Sequence, residues 1–246
     1  MRVSAVVVSH GSARELAESL PALRPQVDEL VVIANVPGSV PPGVEAVENE
    51  FPLGFAANLN KGFALTTGEA LLAVNPDAAP EPGAVAALAA LMASRPRCGV
   101  AGPQMIYPDG RPQPSRRRFP TVTGTIVRRT PLRKVVHQRR HYHLDEPQPG
   151  SPVETDWMLG GFLLLRRSML DELGGFDEGF RLYGEDIDLQ YRAMRAGWER
   201  WYVPEAVVRH DHQAETDKRW LTRRTLWHWA GILRFVRKHP ERLLSL

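Results

Sequence analysis

The sequence predicts an α/β fold in which a mostly parallel central sheet is flanked by helices on both faces. Short, continuous apolar segments rich in β-branched residues alternate with amphipathic helical segments through the first part of the chain. The connections are long enough to return the chain for parallel pairing, which is the βαβ pattern. Open sheets of this kind bind ligands at the carboxyl ends of their strands. We therefore expect the chemistry in the loops after the first, second and fourth strands.

The first half of the chain supplies most of the predicted sheet. The apolar segments predict strands over 2–8, 29–34, 44–48, 69–74 and 100–105. Helical periodicity predicts helices over 12–23, 54–67 and 82–94. Ser12 is a suitable N-cap for the first helix, with Glu15 at the capping-box position.

The pattern changes after the fifth predicted strand. Residues 108–152 are rich in Pro, Arg and His, and they predict a mobile loop with one short helix at 121–129. Regular structure resumes with strands over 153–166 and 199–203, a loop over 204–209, and helices over 168–173, 186–196 and within 217–246.

Composition places the chain among ordinary globular proteins. Its 246 residues are 43% hydrophobic and 24% charged, which excludes a disordered, collagen-like or coiled-coil chain. No apolar run approaches the roughly 20 residues of a membrane span. The single cysteine, Cys98, excludes an internal disulfide and a cysteine-based metal site, and a cytoplasmic location is expected.

The net charge of +3 conceals two strongly basic segments. Residues 111–143 hold ten Lys or Arg and no acidic residue, and residues 217–246 hold eight against two acids. The remainder is net acidic. Concentrated basic charge indicates an anionic partner, which is nucleic acid, a phosphate-bearing substrate or a membrane surface.

Both basic segments allow more than one interpretation. The 111–143 segment is a lid over a pyrophosphate, a surface for a phosphorylated lipid acceptor, or a solvated loop. The 218–240 segment interleaves Trp and Leu with Arg and Lys, which is typical of a helix lying in the bilayer interface. A helix packed on the rest of the protein is the alternative for this segment.

Four motifs occur in a fixed order along the chain: VVVSHGS at 6–12, PLGFAANLNKGF at 52–63, LLAVNPDA at 71–78 and the long segment at 156–198. The last combines a Gly-Gly pair with Gly-Gly-Phe-Asp-Glu and Glu-Asp-x-Asp-Leu. Together they resemble family 2 of the inverting glycosyltransferases, in particular its bacterial rhamnosyltransferase-like branch. The resemblance covers roughly residues 2–212 and implies the GT-A fold.

The resemblance also implies how the chain is organised. Residues 1–212 would form the glycosyltransferase domain, and 213–246 would form a basic amphipathic helical tail. Within the domain, 1–107 would bind the nucleotide-sugar, 108–152 would be the mobile basic loop, and 153–212 would be the acceptor and catalytic half.

A divalent metal, Mg²⁺ or Mn²⁺, is expected beside the fourth strand. A nucleotide-sugar leaves as a diphosphate, whose charge a metal held by oxygen ligands neutralises. By resemblance, Asp77 and His210 would hold this metal and Asn75 would help bind the donor, with His212 a weaker candidate. Asn-Pro-Asp is also a common turn sequence, and a histidine in a polar loop is commonly a surface residue.

The Glu185-Asp186-x-Asp188 motif carries the predicted acid–base chemistry. A sugar transfer with inversion needs a base that takes the proton of the acceptor hydroxyl. By resemblance, Asp186 would be this base, and Glu185 would orient the site or contact the acceptor. Acidic residues also stabilise a helix N-terminus, and both roles are compatible.

The nucleotide pocket is expected to include the following residues: Ser9, Asn35, Gly54, Asn58 and Lys61. The family usually has Asp-Asn after its second strand, where this chain has Ala34-Asn35. By resemblance, Asp156, Gly160 and Gly161 would line the donor sugar and the acceptor. Trp157 would stack on a sugar or fill the core.

The sequence thus predicts a metal-dependent inverting glycosyltransferase. Its donor would be dTDP-rhamnose or a UDP-sugar, and its acceptor a glycan or a polyprenyl-pyrophosphate-linked sugar at an anionic membrane surface. A non-catalytic homologue that binds a sugar-nucleotide is one alternative. A nucleic-acid-binding protein is another, although the acidic remainder of the chain would repel phosphate and no reading motif is present. A sugar nucleotidyltransferase is disfavoured because no Gly-rich loop follows the first strand.

Overall fold

The computed structural model describes residues 1–120, 141–211 and 223–243. Its strands, numbered β1 to β11 in chain order, are Val3–Ser9, Glu29–Ala34, Val47–Glu48, Ala70–Val74, Ala78–Pro80, Cys98–Ile106, Arg116–Arg117, Val153–Glu154, Trp157–Met158, Phe162–Arg166 and Glu199–His210. Its helices, numbered α1 to α6, are Ala13–Leu23, Phe55–Ala64, Ala84–Ser94, Arg167–Leu173, Glu185–Arg195 and Arg223–Lys238.

The strands form one large sheet in the order β3-β2-β1-β4-β10-β6-β11-β5, with β8 paired to β11. Strands β3, β2, β1 and β4 run parallel, as do β6 and β11. Strand β10 lies between β4 and β6 and is antiparallel to both. A second sheet consists of β7 and β9. The predicted α/β architecture, with a central sheet flanked by helices, is therefore present.

Alternate residues of β1 show how helices cover both faces of the sheet. Val3 and Val7 belong to a core cluster that includes residues of α1 and α3. Val6 and Val8 belong to a second cluster with residues of α2, α4 and α5. Every residue of β1 is buried. A strand covered on both faces is largely apolar on both, which is why β1 contains the continuous apolar run Ala5–Val8.

Two predicted elements differ from the structure. The single strand predicted over 153–166 is three short strands, because the chain leaves the ladder at Thr155–Asp156 and turns at Leu159–Gly161 before β10. The loop predicted over 204–209 is wrong, since β11 continues to His210. An irregularity between Val203 and Val207 absorbs the intervening residues, and pairing with β6 then resumes.

Smaller differences concern α1 and the basic segments. Ser12 occupies the N-cap of α1, but its side chain makes no capping hydrogen bond with the described residues. Its backbone N–H instead donates to Ser9 Oγ at 3.3 Å. The helix predicted at 121–129 lies outside the described residues. In the described part of the 108–152 segment, Gln113 and Ser115 are buried against the domain, whereas residues 144–148 are exposed.

A third cluster, made of aromatic residues, joins the C-terminal helix to the domain. Phe235 of α6 is buried with the following four side chains: Phe119, Trp157, Phe180 and Tyr191. One face of α6 is therefore packed on the domain, as in the second interpretation of the basic tail. Within the described ranges, no helix is long and apolar enough to cross a membrane.

Candidate active site

The carboxyl edge of the sheet brings predicted residues from distant parts of the chain together. Asn75 and Asp77 follow β4, and His210 ends β11. Ala78 pairs with His210 in the ladder between β5 and β11. This ladder was not predicted. It brings the loop after β4 beside residues that lie more than a hundred positions later in the sequence.

Asp77 and His210 form a polar pair at this edge. Asp77 Oδ1 lies 3.4 Å from His210 Nε2. The backbone N–H of Asp211 donates to the Asp77 carbonyl at 3.2 Å, which holds the two loops in register. The His210 side chain is 4% exposed and that of Asp77 is 22% exposed, so the carboxylate is the more accessible partner.

Gln113 fixes the orientation of the His210 ring. The Gln113 side-chain amide donates from Nε2 to the His210 carbonyl at 2.7 Å, which turns its Oε1 toward the ring. That oxygen lies 3.1 Å from His210 Nδ1. Because an amide oxygen only accepts, Nδ1–H donates to Gln113 Oε1, and Nε2 is the ring nitrogen that faces Asp77. Sequence reasoning did not find Gln113, which lies within a basic segment without a recognisable motif.

Two glycines connect this pair to the acidic motif. A Cβ at Gly161 would lie 3.2 Å from His210 Nε2 and 3.3 Å from Asn75 Nδ2. A Cβ at the preceding Gly160 would lie 2.8 Å from the Cβ of Asp186. Consecutive Cα atoms are about 3.8 Å apart, so the two polar centres flank one short stretch of backbone. A side chain at either position would have to displace one of these groups.

Asp186 is held by backbone N–H groups at the start of α5. Its Oδ2 accepts from Gly160 N at 3.0 Å, and its Oδ1 accepts from Ile187 N at 2.9 Å. Burial raises the pKa of Asp186 above its ordinary value, against the effect of these donors and of the nearby Arg117. Asp186 is thus an oriented carboxylate with increased affinity for a proton.

Glu185 lies beside Asp186 and is 6% exposed. Its buried Oε2 has no hydrogen-bond partner among the described residues. Burial and the neighbouring Asp186 carboxylate raise the pKa of Glu185 to about 8. Glu185 is therefore largely protonated at neutral pH, which reduces the repulsion between the two neighbouring carboxyl groups.

Replacing Glu185 by glutamine is expected to remove a loss of stability at alkaline pH. The folded state holds the Glu185 proton up to a pKa of about 8, whereas the ordinary value is 4.5. Folded protein binds more protons than unfolded protein in this window, so stability falls as pH rises through it. Denaturant unfolding of Glu185→Gln at pH 5 and pH 8 should show a smaller difference than the wild type shows. Glu45→Gln, at an exposed position, is the control. If the unfolding free energy changes equally between pH 5 and pH 8 in the wild type and in Glu185→Gln, the raised pKa of Glu185 is contradicted.

Asp188, in the same acidic motif, has a different environment. It is fully buried and accepts hydrogen bonds from Arg192 Nε at 2.7 Å, Lys238 Nζ at 3.0 Å and His239 Nε2 at 2.8 Å. These partners satisfy the carboxylate internally. Within this motif, Glu185 and Asp186 therefore lie near the sheet edge, whereas Asp188 binds the C-terminal segment.

Asp156 and Trp157 support the backbone near the second sheet. Asp156 Oδ2 accepts from Phe119 N at 2.8 Å. Trp157 Nε1 donates to the Arg118 carbonyl at 2.8 Å, and its ring is buried in the aromatic cluster. Of the two interpretations of Trp157, the structure favours the core.

The predicted nucleotide-side residues form a hydrogen-bonded network. Ser9 Oγ donates to the Ser39 carbonyl at 2.6 Å. Asn35 Oδ1 accepts from Leu53 N at 2.8 Å, and its Nδ2 donates to the Leu53 carbonyl at 3.0 Å and lies 3.0 Å from His10 Nδ1. The Asn35 side chain thus fixes the loop that leads into α2.

Asn49 continues this network to the helix α2. It donates to Asn58 Oδ1 at 2.6 Å and to Asn35 Oδ1 at 2.8 Å. Lys61 Nζ donates to Asn49 Oδ1 at 2.7 Å. At Gly54 a Cβ would lie 3.2 Å from the Arg181 carbonyl, so the glycine lets the start of α2 contact the loop before α5. Asn49 was not among the predicted residues.

An α/β domain of this topology, with polar residues gathered at the carboxyl edge of its sheet, has the architecture expected of a GT-A-type glycosyltransferase domain. Residues 2–231 match the model of the glycosyltransferase like family 2, and the chain belongs to this family.

Relatives in the family are named as rhamnosyltransferases. The chain is 36% identical over 157 residues to an N-acetylglucosaminyl-diphospho-decaprenol L-rhamnosyltransferase of Mycobacterium tuberculosis, covering 61% of this chain and 48% of the relative. It is 35% identical over 96 residues to the rhamnosyltransferase WbbL of Escherichia coli, covering 39% and 35%. The chain thus matches half or less of the length of these curated relatives.

Solved structures confirm the predicted fold. A crystal structure of GalNAc-T7 with UDP, GalNAc and Mn²⁺ superposes with a TM-score of 0.68 at 17% identity, covering 96% of this chain and 48% of that one. The mannosyltransferase PcManGT from Pyrobaculum calidifontis, in complex with GDP-Man and Mn²⁺, gives a TM-score of 0.62 at 17% identity, covering 98% and 64%. At these identities the likeness concerns the fold.

Proposed function

We propose that this chain catalyses metal-dependent transfer of a sugar, with inversion, from a nucleotide-diphospho-sugar to an acceptor hydroxyl. One observation carries the proposal. Gly160 packs against Asp186 and the adjacent Gly161 packs against His210 and Asn75, so an acid–base group and a candidate metal pair flank one short stretch of backbone. A donor whose diphosphate lies at one side presents its sugar to the other.

Asp77 and His210 are the residues that would hold the divalent metal, Mg²⁺ or Mn²⁺. A carboxylate oxygen and an imidazole nitrogen are both known metal ligands, and Gln113 supplies the hydrogen bond that orients the ring. The described residues contain no cluster of three or more His, Cys, Asp or Glu that could hold a metal alone. A Mg²⁺ ion is commonly bound by one or two carboxylates together with substrate phosphates and water, and Asp77 would be such a carboxylate. When bound, the metal supplies neutralisation of the diphosphate leaving group.

Asp186 performs the proton transfer in this mechanism. It accepts the proton of the acceptor hydroxyl while that oxygen forms a bond to the anomeric carbon. The bond from the anomeric carbon to the diphosphate oxygen breaks on the opposite face, and the nucleoside diphosphate leaves with the bonding electrons. The configuration at the anomeric carbon is inverted. The backbone N–H groups of Gly160 and Ile187 hold the base in place throughout.

The relatives indicate the classes of donor and acceptor. We propose dTDP-rhamnose or a UDP-sugar as donor, because the two curated relatives described above are named as rhamnosyltransferases. The mycobacterial relative is named for an acceptor in which a sugar is joined through a diphosphate to decaprenol. A glycan or a polyprenyl-pyrophosphate-linked sugar is therefore the proposed acceptor.

A donor panel tests the proposed activity. The purified chain is incubated with dTDP-rhamnose, UDP-sugars and GDP-sugars, Mn²⁺ or Mg²⁺, and a prenyl-diphosphate-linked N-acetylglucosamine analogue. Transfer from one donor class, with an inverted anomeric centre and loss of activity in EDTA, is the expected result. Nucleotide binding without transfer in this panel would indicate a non-catalytic homologue. An absence of binding to every nucleotide would contradict the proposal outright.

A second part of the proposal is peripheral attachment to the inner face of an anionic membrane. Trp229 is 40% exposed and Leu233 is 49% exposed, one helical turn apart on α6. Phe235 lies on the packed face of the same helix, so α6 presents apolar side chains to both the domain and the solvent. Exposed Trp and Leu on a basic helix are typical of interfacial binding.

Replacing Trp229 and Leu233 together by serine is expected to reduce flotation with anionic liposomes by about 10-fold, because two apolar anchors are lost. Leu65, exposed at the end of α2, provides a matched control when it is replaced by serine. Wild-type flotation of the double variant, or an equal loss in Leu65→Ser, would exclude this surface.

A further inference from the structure

The C-terminal helix α6 is packed directly on the loop that precedes Asp186. A Cβ at Gly231 of α6 would overlap the Tyr183 carbonyl oxygen. The guanidinium of Arg181 lies 4.9 Å from the ring centroid of Trp227. Tyr183 adopts a φ of 70° and Gly184 a φ of 96°, and the second of them caps α5. The backbone that begins the helix of Asp186 is therefore in contact with α6.

Ion pairs fasten this contact on both sides of Asp186 in the sequence. Asp177 lies nine residues before it and Asp188 two residues after it. Lys238 Nζ bridges the two carboxylates, at 2.8 Å from Asp177 Oδ2 and 3.0 Å from Asp188 Oδ2. Arg234 Nη2 adds a bond of 2.7 Å to Asp177 Oδ1.

His239 completes the attachment at the end of α6. Its Nε2 lies 2.8 Å from Asp188 Oδ1, and its ring packs against Tyr191 at 4.6 Å between centroids. Asp188 is fully buried, so its charge depends on these partners and on Arg192. A buried carboxylate that loses a partner has no solvent to replace it.

The strand edge with Asp77 and His210 rests on a hydrophobic core that is separate from α6. The two core clusters that cover the sheet contain no described residue of α6. Within the described residues, its buried side chain Phe235 belongs to the separate aromatic cluster. A weakened attachment is therefore expected to disturb residues 177–188 and to leave the strand edge with Asp77 and His210 intact.

We propose that Arg234, Lys238 and His239 are positioning residues for Asp186, holding residues 177–188 so that its carboxylate meets the acceptor hydroxyl. The inference rests on the proposed function of Asp186 as the base. A general base has to lie within hydrogen-bond reach of the proton that it removes. A displacement of about 1 Å from the productive geometry can cost about 100-fold in rate, so loss of these contacts should lower the transfer rate. Arg234, Lys238 and His239, with their partners Asp177 and Asp188, are called the clamp below.

Lys238→Gln tests the clamp against Arg237→Gln, which removes one exposed charge at the adjacent position. In the full-length protein, Lys238→Gln should lower kcat by 10-fold to about 100-fold and change the donor KM by less than about 2-fold. Lys238→Arg should recover most of the kcat. Hydrogen exchange of residues 177–188 should accelerate in Lys238→Gln and stay unchanged in Arg237→Gln.

Gly231→Ala is the second variant. Alanine stabilises an isolated helix more than glycine does. At position 231, however, its Cβ would overlap the Tyr183 carbonyl. Faster exchange of residues 177–188 with a lower kcat is expected, although the helix itself becomes intrinsically more stable. Faster exchange without a change in kcat would overturn the positioning role, as would a donor KM that rises in step with the fall in kcat.

Failure of the clamp can be told apart from failure of the proposed function. If the wild type transfers sugar and Lys238→Gln matches it in both kcat and exchange, only the clamp is overturned. If the wild type binds nucleotide but transfers none, the role of Asp186 as a base fails and the positioning role fails with it. Exchange in Lys238→Gln then still reports whether α6 orders residues 177–188.

Discussion

Replacing Asp186 by asparagine is expected to lower the rate of sugar transfer by about 10³-fold, since a positioned general base contributes 10²–10⁴-fold. Asparagine has nearly the same shape but cannot accept the acceptor proton. Its amide group would also face one of the backbone N–H groups that now bond to the carboxylate, from Gly160 or Ile187. Donor binding should remain, because the predicted metal ligands Asp77 and His210 are unchanged.

Transfer rates measured at saturating donor, together with nucleotide affinity by calorimetry, check this prediction. Asp171→Asn is the matched control, since Asp171 is an exposed carboxylate on α4. Burial raises the pKa of Asp186, so the wild-type rate should fall on acidification at a higher pH than for an exposed aspartate. A fully active Asp186→Asn variant would assign the base to another residue, with Glu185 the first to examine.

The sequence was sufficient for the parallel half of the fold. Strands such as β1 and β4 are buried on both faces, and that environment leaves an unmistakable apolar run. The loops after parallel strands converge on one edge of the sheet, so the sequence alone places Asn75 and Asp77 at that edge. Each of these features depends on a short segment of sequence, which is why the pattern of apolar residues was enough to predict it.

Pairings between distant segments could not be predicted in the same way. His210 reaches Asp77 because β11 continues past its irregularity and pairs with β5. Neither the irregularity nor a strand of three residues leaves a periodic signal. Gln113 orients His210 from a segment whose composition indicated only a loop.

The acidic motif shows a further limit of spacing arguments. Residues 185, 186 and 188 are close in sequence, but their partners come from different regions. Asp186 bonds to Gly160, whereas Asp188 bonds to Lys238 and His239, which lie fifty and fifty-one residues later. The role of each carboxylate follows from its partner, and sequence spacing does not contain the partner.

Asp77→Asn is expected to weaken metal-dependent binding of the nucleoside diphosphate by at least about 100-fold, because loss of an outer-shell partner alone costs about 10–100-fold and Asp77 would be a direct ligand. The change removes the negative charge that faces His210 Nε2 at 3.4 Å and keeps the volume of the side chain. Calorimetry with UDP and dTDP, in Mg²⁺ or Mn²⁺ and then in EDTA, measures the effect. The nucleotide affinity of the wild type should fall when EDTA removes the metal. The affinity of Asp77→Asn, which is already weak with metal, should change little in EDTA.

Exposed Asp109, which pairs with Arg111 in a turn, provides the control carboxylate for this experiment. Undiminished, EDTA-sensitive binding by Asp77→Asn would exclude Asp77 as a ligand. The two aspartate variants also test each other. If the donor diphosphate and the acceptor hydroxyl occupy opposite sides of Gly160 and Gly161, Asp77→Asn should impair both binding and transfer, whereas Asp186→Asn should impair transfer alone. The reverse pattern would exchange the two roles, because the geometry assigns each carboxylate to one side of that backbone.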